Sequence, residues 1–116
     1  MSNFSIKTDV KNGIYIIRPI GYVDESGGAA VFAAVQQALP EGHRKFILNL
    51  AESPVINSQG IAQIIELSEI IVDEKSGEIA FVGLSELTSG VFKMVGLLQM
   101  GEPYPAEEDA IEAMSG

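Results

Sequence analysis

Few side chains in this sequence could do chemistry, and most of those lack suitable spacing. No cysteine occurs among the 116 residues, which removes disulfides, thiolate nucleophiles and sulfur-ligated metals together. The one histidine, His43, cannot build a His-rich metal site. It follows Glu41-Gly42 ahead of an apolar run, where an exposed turn residue is expected before a general base. Acids stand side by side at Asp73-Glu74 and Glu107-Glu108-Asp109. The second group would occupy the first turn of a C-terminal helix, where the helix dipole favours negative charge. Solvated, helix-stabilising carboxylates are the expectation there, rather than a paired-carboxylate active site. The glycines at 27, 28, 83 and 90 satisfy neither G-x-x-x-x-G-K-[ST] nor G-x-G-x-x-G. No catalytic residue, metal site or cofactor site is expected.

One segment is harder to assign to scaffold. In Leu48-Asn49-Leu50-Ala51-Glu52-Ser53-Pro54-Val55-Ile56-Asn57-Ser58-Gln59-Gly60-Ile61, an apolar strand runs through a short loop into a strongly apolar helix. Asn57 or Ser58 falls at the N-cap. The plain reading is that one side chain satisfies a free amide of the first turn, worth typically about 1 kcal/mol. The second reading uses the same physics: a hydroxyl at a helix N-terminus is a tolerant place for a phosphoryl group, because free N–H groups and the dipole favour negative charge. Nearly two charges could be added there without unfolding the domain, while a partner docked on that rim would meet a new anion. The residues leave both readings open.

The elements around this segment follow from periodicity. Phe4, Ile6, Thr8 and Val10 alternate with Ser5, Lys7 and Asp9, the period of a half-buried strand. Asn12-Gly13 then signals a hairpin into Ile14-Tyr15-Ile16-Ile17, and Pro19 should stop pairing or mark an edge. Asp24 or Ser26 is placed to cap a helix whose Val31, Phe32, Val35 and Leu39 form its apolar stripe, ending at Pro40-Glu41-Gly42. Residues 45–50 read as a central strand covered on both faces. Ile61, Ile64, Ile65, Ile71 and Val72 share a helical face, and Ile79-Ala80-Phe81-Val82 forms another buried strand. Ser85-Glu86-Leu87 opens a third helix expected to turn Leu87, Val91, Met94 or Val95, and Leu98 inward, with a short strand near Met100 and a helix over 106–114. Strands alternating with helices predict an α/β fold: a mixed, mostly parallel sheet of four to five strands, an N-terminal hairpin and about four helices.

Composition sets the outer limits. The length suits one domain, 1–116, and 47% hydrophobic against 20% charged residues is ordinary globular composition. A net charge of -9, from 16 acids and 7 bases without basic clusters, argues against nucleic acid and anionic membranes as partners. The first residues lack a signal-peptide pattern, and no apolar stretch approaches the roughly 20 residues of a membrane helix. A cytoplasmic protein without membrane insertion is expected.

The segment over residues 48–61 resembles the STAS family, the sulfate transporter and anti-sigma factor antagonist domains, whose signature there is Asp-Ser-Ser-Gly-Leu after a strand and loop. Gly21-Tyr22-Val23-Asp24 resembles the family's Gly-x-Leu-Asp, and Val91-Phe92-Lys93-Met94-Val95-Gly96-Leu97 resembles its late helix. The resemblance implies a bacterial partner-switching protein, not an enzyme. It implies phosphorylation of Ser58 by a cognate anti-sigma factor/serine kinase of the histidine-kinase-like ATPase type, and reversal by a metal-dependent serine phosphatase. The unmodified form would bind the kinase and release a sigma factor or other target. Asp24, Asn57, Ser58, Gln59 and Gly60 would line the partner-binding rim. Two departures stand out: Asn57 replaces the usual Asp, and Gln59 replaces the second Ser, leaving Ser58 as the only hydroxyl of the signature. A different class is a constitutive STAS subunit of a transport assembly, such as the cytoplasmic component of a phospholipid ABC transporter. It would be indifferent to charge at Ser58. A third class, an enzyme or small-molecule binder, would show itself by binding nucleotides or metals.

Overall fold

Asn12 and Gly13 both take positive φ, 54° and 77°, the pair of left-handed conformations that a two-residue type I′ turn requires. They fold strand β1 (Ser5–Lys11) back on β2 (Ile14–Ile20) in an antiparallel hairpin. The structure, a computed structural model, describes residues 3–115. Beyond the hairpin every pairing is parallel, through β3 (Lys45–Asn49), β4 (Glu78–Val82) and β5 (Glu102–Tyr104), in the spatial order β1-β2-β3-β4-β5. Pro19 divides its strand as a residue without an N–H must. Pairing of β2 with β3 covers Tyr15–Ile17 and ends before Pro19, whereas on the β1 side Ile6 still lies opposite it.

The crossovers are α1 (Glu25–Ala38), α2 (Ser58–Glu69) and α3 (Glu86–Met94). A four-residue turn α4 (Leu97–Met100) leads into β5, and α5 (Glu107–Met114) closes the described chain. Alternation along the strands sends side chains to two separate cores. Ile17, Phe46, Leu48 and Phe81 face α1 and α2 and pack with Val31, Val35, Ile64 and Leu67. Ile14, Ile16, Ile47, Ala80 and Val82 face the other way and meet Ala110 and Met114 of α5. The apolar stripe starting at Ile61 runs past the end of α2 through five residues of π-helix, Ile70–Glu74, which keeps Ile71 fully buried.

Three expectations need correction. Leu87, Met94 and Val95 are not inward; they are 75%, 84% and 42% exposed. Val91 and Leu98 do pack against the core as expected, but the buried pair of α3 is Thr88 and Phe92, with Phe92 edge-to-face on Phe81 at 5.1 Å. Stripes one residue apart differ by only about 100° of helix rotation, and the Ser85 cap on the Thr88 amide selects this one. The strand sought near Met100 lies at Glu102–Tyr104, with a helical turn before it. His43 is half-buried and packs against the Tyr15 ring in a tilted contact, with centroids 5.0 Å apart, so it is not a free turn residue.

Glu107 also departs from the solvated role expected of its triplet. Its carboxylate takes two bonds from Arg18, Nε at 2.6 Å and Nη2 at 2.9 Å, and one from Asn49 Nδ2 at 2.6 Å. Arg18 reaches on to Asp9 at 3.4 Å. This bidentate pair fastens the first turn of α5 to β2 and β3. The Arg18 hydrogen bonds hold the Glu107 carboxyl down to about 2 from an ordinary 4.5, against the opposing effect of burial. Because the folded-state value lies below the unfolded one, the contribution is complete above about pH 4.5 and is lost as pH falls toward about 2. Urea unfolding measured across that window should show wild-type stability falling with acid. Glu107→Gln should be less stable at neutral pH by on the order of 2–3 kcal/mol and flatter below pH 4.5. A wild-type/variant difference that stays constant with pH would refute the assignment.

Candidate functional site

Two helix N-termini meet beyond the carboxyl ends of β2 and β3. Asp24 caps α1, its Oδ1 accepting from the Gly27 amide at 2.9 Å. Asn57 caps α2 in the same way, accepting from the Gly60 amide at 2.9 Å. Of the capping alternatives in the sequence, Asp24 and Asn57 are therefore the caps, and Ser26 and Ser58 are not. Both capping residues have the extended backbone that an N-cap needs.

The loops carrying these caps are joined by backbone hydrogen bonds. Gly21 N donates to Glu52 O at 2.9 Å, Val23 N to Val55 O at 3.1 Å, and Asn57 N to Val23 O at 3.0 Å, forming a parallel bridge between Val23 and Ile56. This junction explains the glycine of the signature. A Cβ on Gly60 would collide with the Val23 carbonyl oxygen, and one on Gly28 would stand 3.2 Å from the Gly60 α-carbon. The close crossing of α1 over α2 thus needs hydrogen at Gly60 and leaves little room at Gly28.

Ser58 is the first residue of α2 and is exposed. Because Asn57 does the capping, the Ser58 hydroxyl has no hydrogen-bond partner among the described residues. The Ser58 and Gln59 amides are likewise unpaired there, since the Gly60 and Ile61 amides are the ones Asn57 takes. The result is an outward hydroxyl next to two free N–H donors at the positive end of a helix dipole, an arrangement that accommodates an anion. Gln59 is also exposed, whereas Gly60 is buried and contributes shape.

An apolar rim borders this point. Val55 is 56% exposed and Leu87 75% exposed. Together with Pro54, Ile56, Ile61, Thr88 and Val91 they line a cavity of about 110 Å³, where the Thr88 hydroxyl is 3.4 Å from the Pro54 carbonyl oxygen. Sequence reasoning missed Val55 and assigned Leu87 to the core; an apolar residue between Pro54 and the capping segment was the available signal. The other candidate chemistry lies elsewhere. His43 precedes β3 and so stands at the opposite end of the sheet from Ser58. Among the described residues no group of three or more His, Asp or Glu side chains could hold a metal, and no helix is long and apolar enough to cross a membrane.

The same architecture occurs in known structures. An anti-sigma factor antagonist from Mycobacterium paratuberculosis superposes with a TM-score of 0.85 at 17% identity, over 98% of this chain and 96% of that one. The Bacillus cell fate determinant SpoIIAA, in its phosphorylated form, gives 0.75 at 20% identity over 95% and 99%. A sulfate transporter family protein from Wolinella succinogenes gives 0.69 at 19% identity over 90% and 87%. At such identities the likeness carries the fold alone. Among curated protein sequences there is no significant match.

Gly60→Ala should lower stability by on the order of 2–3 kcal/mol, since neither the Val23 carbonyl nor the helix backbone can retreat cheaply. Thermal or urea unfolding measures it; a loss below about 0.5 kcal/mol would mean that the crossing is not tight.

The STAS domain profile matches residues 5–110. With the strand order, the doubled helix caps and the signature glycine already in place, that match establishes that the chain belongs to the STAS domain family.

Proposed function

We propose that this protein is an anti-sigma factor antagonist that switches partners through phosphorylation of Ser58. In its unmodified form it binds a cognate anti-sigma factor that is itself a serine kinase of the histidine-kinase-like ATPase type. Phosphorylation releases it, and a serine phosphatase restores the binding form. The observation that carries this reading is the Ser58 hydroxyl, exposed, unpaired among the described residues and next to two free amides. The fold's occurrence in anti-sigma factor antagonists, among them SpoIIAA, which is also known in a phosphorylated form, supports it.

The switch needs little movement. A phosphoryl group on Ser58 would add close to two negative charges at a helix N-terminus, where the host tolerates them. The cap is unaffected, because Asn57 and not Ser58 holds it. A partner seated across Val55, Leu87 and the α2 terminus would have to desolvate that charge without a counter-ion, which costs several kcal/mol. Asp24 and Asn57 shape the rim through their caps, and Gln59 and Gly60 complete it.

The likeness to a sulfate transporter family protein supports a second reading, constitutive binding within a transport assembly. The two readings diverge at Ser58. With ATP and the cognate kinase, intact mass should show one phosphate on wild type and none on Ser58→Ala. Ser58→Asp should weaken kinase binding by about thirtyfold or more, equivalent to about 2 kcal/mol. A phosphate on both proteins or on neither would sink the switch. Binding of a transport ATPase unchanged by Ser58→Asp would favour the second reading.

A further inference from the structure

The outer edge of β1 is guarded by charge alone, through Lys7, Asp9 and Lys11. It runs seven residues in unbroken register, without proline or bulge, and no described residue pairs with it from outside. Such an edge is a template for another strand. Its side chains have an unusual order. Reading Ile6-Lys7-Thr8-Asp9-Val10 from either end gives an apolar residue, a charge, Thr8, a charge of opposite sign, and an apolar residue.

Hydrogen-bond phase agrees with that symmetry. Lys11 and Ile14 flank a two-residue turn and therefore form a hydrogen-bonded pair. Alternation then turns the backbone groups of Lys7, Asp9 and Lys11 toward β2, and those of Ile6, Thr8 and Val10 outward. The Val10 amide bears this out, since it bonds not to β2 but to the Asp9 carboxylate, at 2.8 Å. The outward groups are thus centred on Thr8, as is the side-chain pattern.

We propose that the chain pairs with a second copy of itself, β1 against β1 in antiparallel register about Thr8, giving one continuous sheet across a two-fold axis. Thr8 faces Thr8 of the partner copy, and Ile6 faces Val10. Lys7 faces Asp9, twice by symmetry. Each pair shares a face, as directly opposed residues in an antiparallel ladder do. Val10, half exposed in the monomer, gains an apolar neighbour. Its amide exchanges Asp9 Oδ1 for the Ile6 carbonyl of the other copy, which releases that oxygen to meet Lys7 while Oδ2 stays with Arg18. Charge complementarity singles out a second copy as the occupant, because an unrelated strand would have no reason to match a pattern symmetric about its own centre. The contact is confined to one strand, so the dimer is concentration-dependent. It lies at the sheet edge and does not depend on Ser58.

Sedimentation equilibrium over a roughly hundredfold concentration range tests this, with thermal melts confirming that each variant is folded. Wild type should shift from monomer toward dimer. Thr8→Pro removes the central outward donor at an edge where proline is tolerated, and should stay monomeric. Lys7→Asp and Asp9→Lys each set like charges opposite one another and should weaken self-association at least about tenfold. An equimolar mixture of those two variants restores opposite charges in both pairs and should dimerise. A wild type that remains monomeric overturns the proposal. So does a dimer that persists in Thr8→Pro or Lys7→Asp, or a mixture of the two charge variants that stays monomeric while wild type associates.

Discussion

The carbonyl oxygen of Val23 is the point on which the functional end of this molecule depends. It accepts from the Asn57 amide and lies against the α-carbon of Gly60, so the β2–α1 loop and the start of α2 are held at backbone distance. No side chain intervenes, and none could. Two caps that belong to different crossovers are thereby set on a common rim: Asp24 on α1 and Asn57 on α2. Backbone hydrogen bonds position loops more firmly than side-chain contacts do, because fewer rotatable bonds separate the bonded atoms from the chain. An exposed site can in this way have a rigid base.

That division of labour makes the presented hydroxyl available. A serine acting as the N-cap would spend its oxygen on the helix, and modifying it would disturb the first turn. Here Asn57 takes the structural duty and Ser58 stands one residue further on, with its oxygen and the amides beside it unengaged among the described residues. Asn57 caps through an amide oxygen and so places no full negative charge next to Ser58.

The far face obeys a different constraint. α5 meets the sheet through Ala110, Ile111 and Met114, and the Arg18–Glu107–Asn49 cluster fixes its first turn there. Arg18 lies opposite Lys7 and bonds to Asp9, so the same cluster also organises the charges along the hairpin edge. One polar network thus links the C-terminal helix to the strand at the opposite margin of the sheet from β5.

Local chemistry made much of this legible in the sequence. Asn12-Gly13 demanded its turn, since few residues adopt two successive positive φ values. The apolar runs at 45–50 and 79–82 required strands covered on both sides, and the alternation of strands with helical stripes required a parallel sheet. The helix start at residues 57–60 was also apparent from residue types. What stayed out of reach depends on distances between segments far apart in the chain. Which stripe of α3 faces inward turned on a rotation of one residue, settled by the Ser85 cap and the fit of Phe92 against Phe81. That Glu107 anchors its helix through a half-buried ion pair depended on Arg18, 89 residues away. That Asn57 rather than Ser58 caps the helix, leaving the hydroxyl outward, is a matter of backbone direction entering the turn, and that direction is imposed by the Val23 junction. Periodicity and turn chemistry are properties of neighbours in sequence; cap choice, helix rotation and ion pairing are properties of neighbours in space, and only folding brings those together.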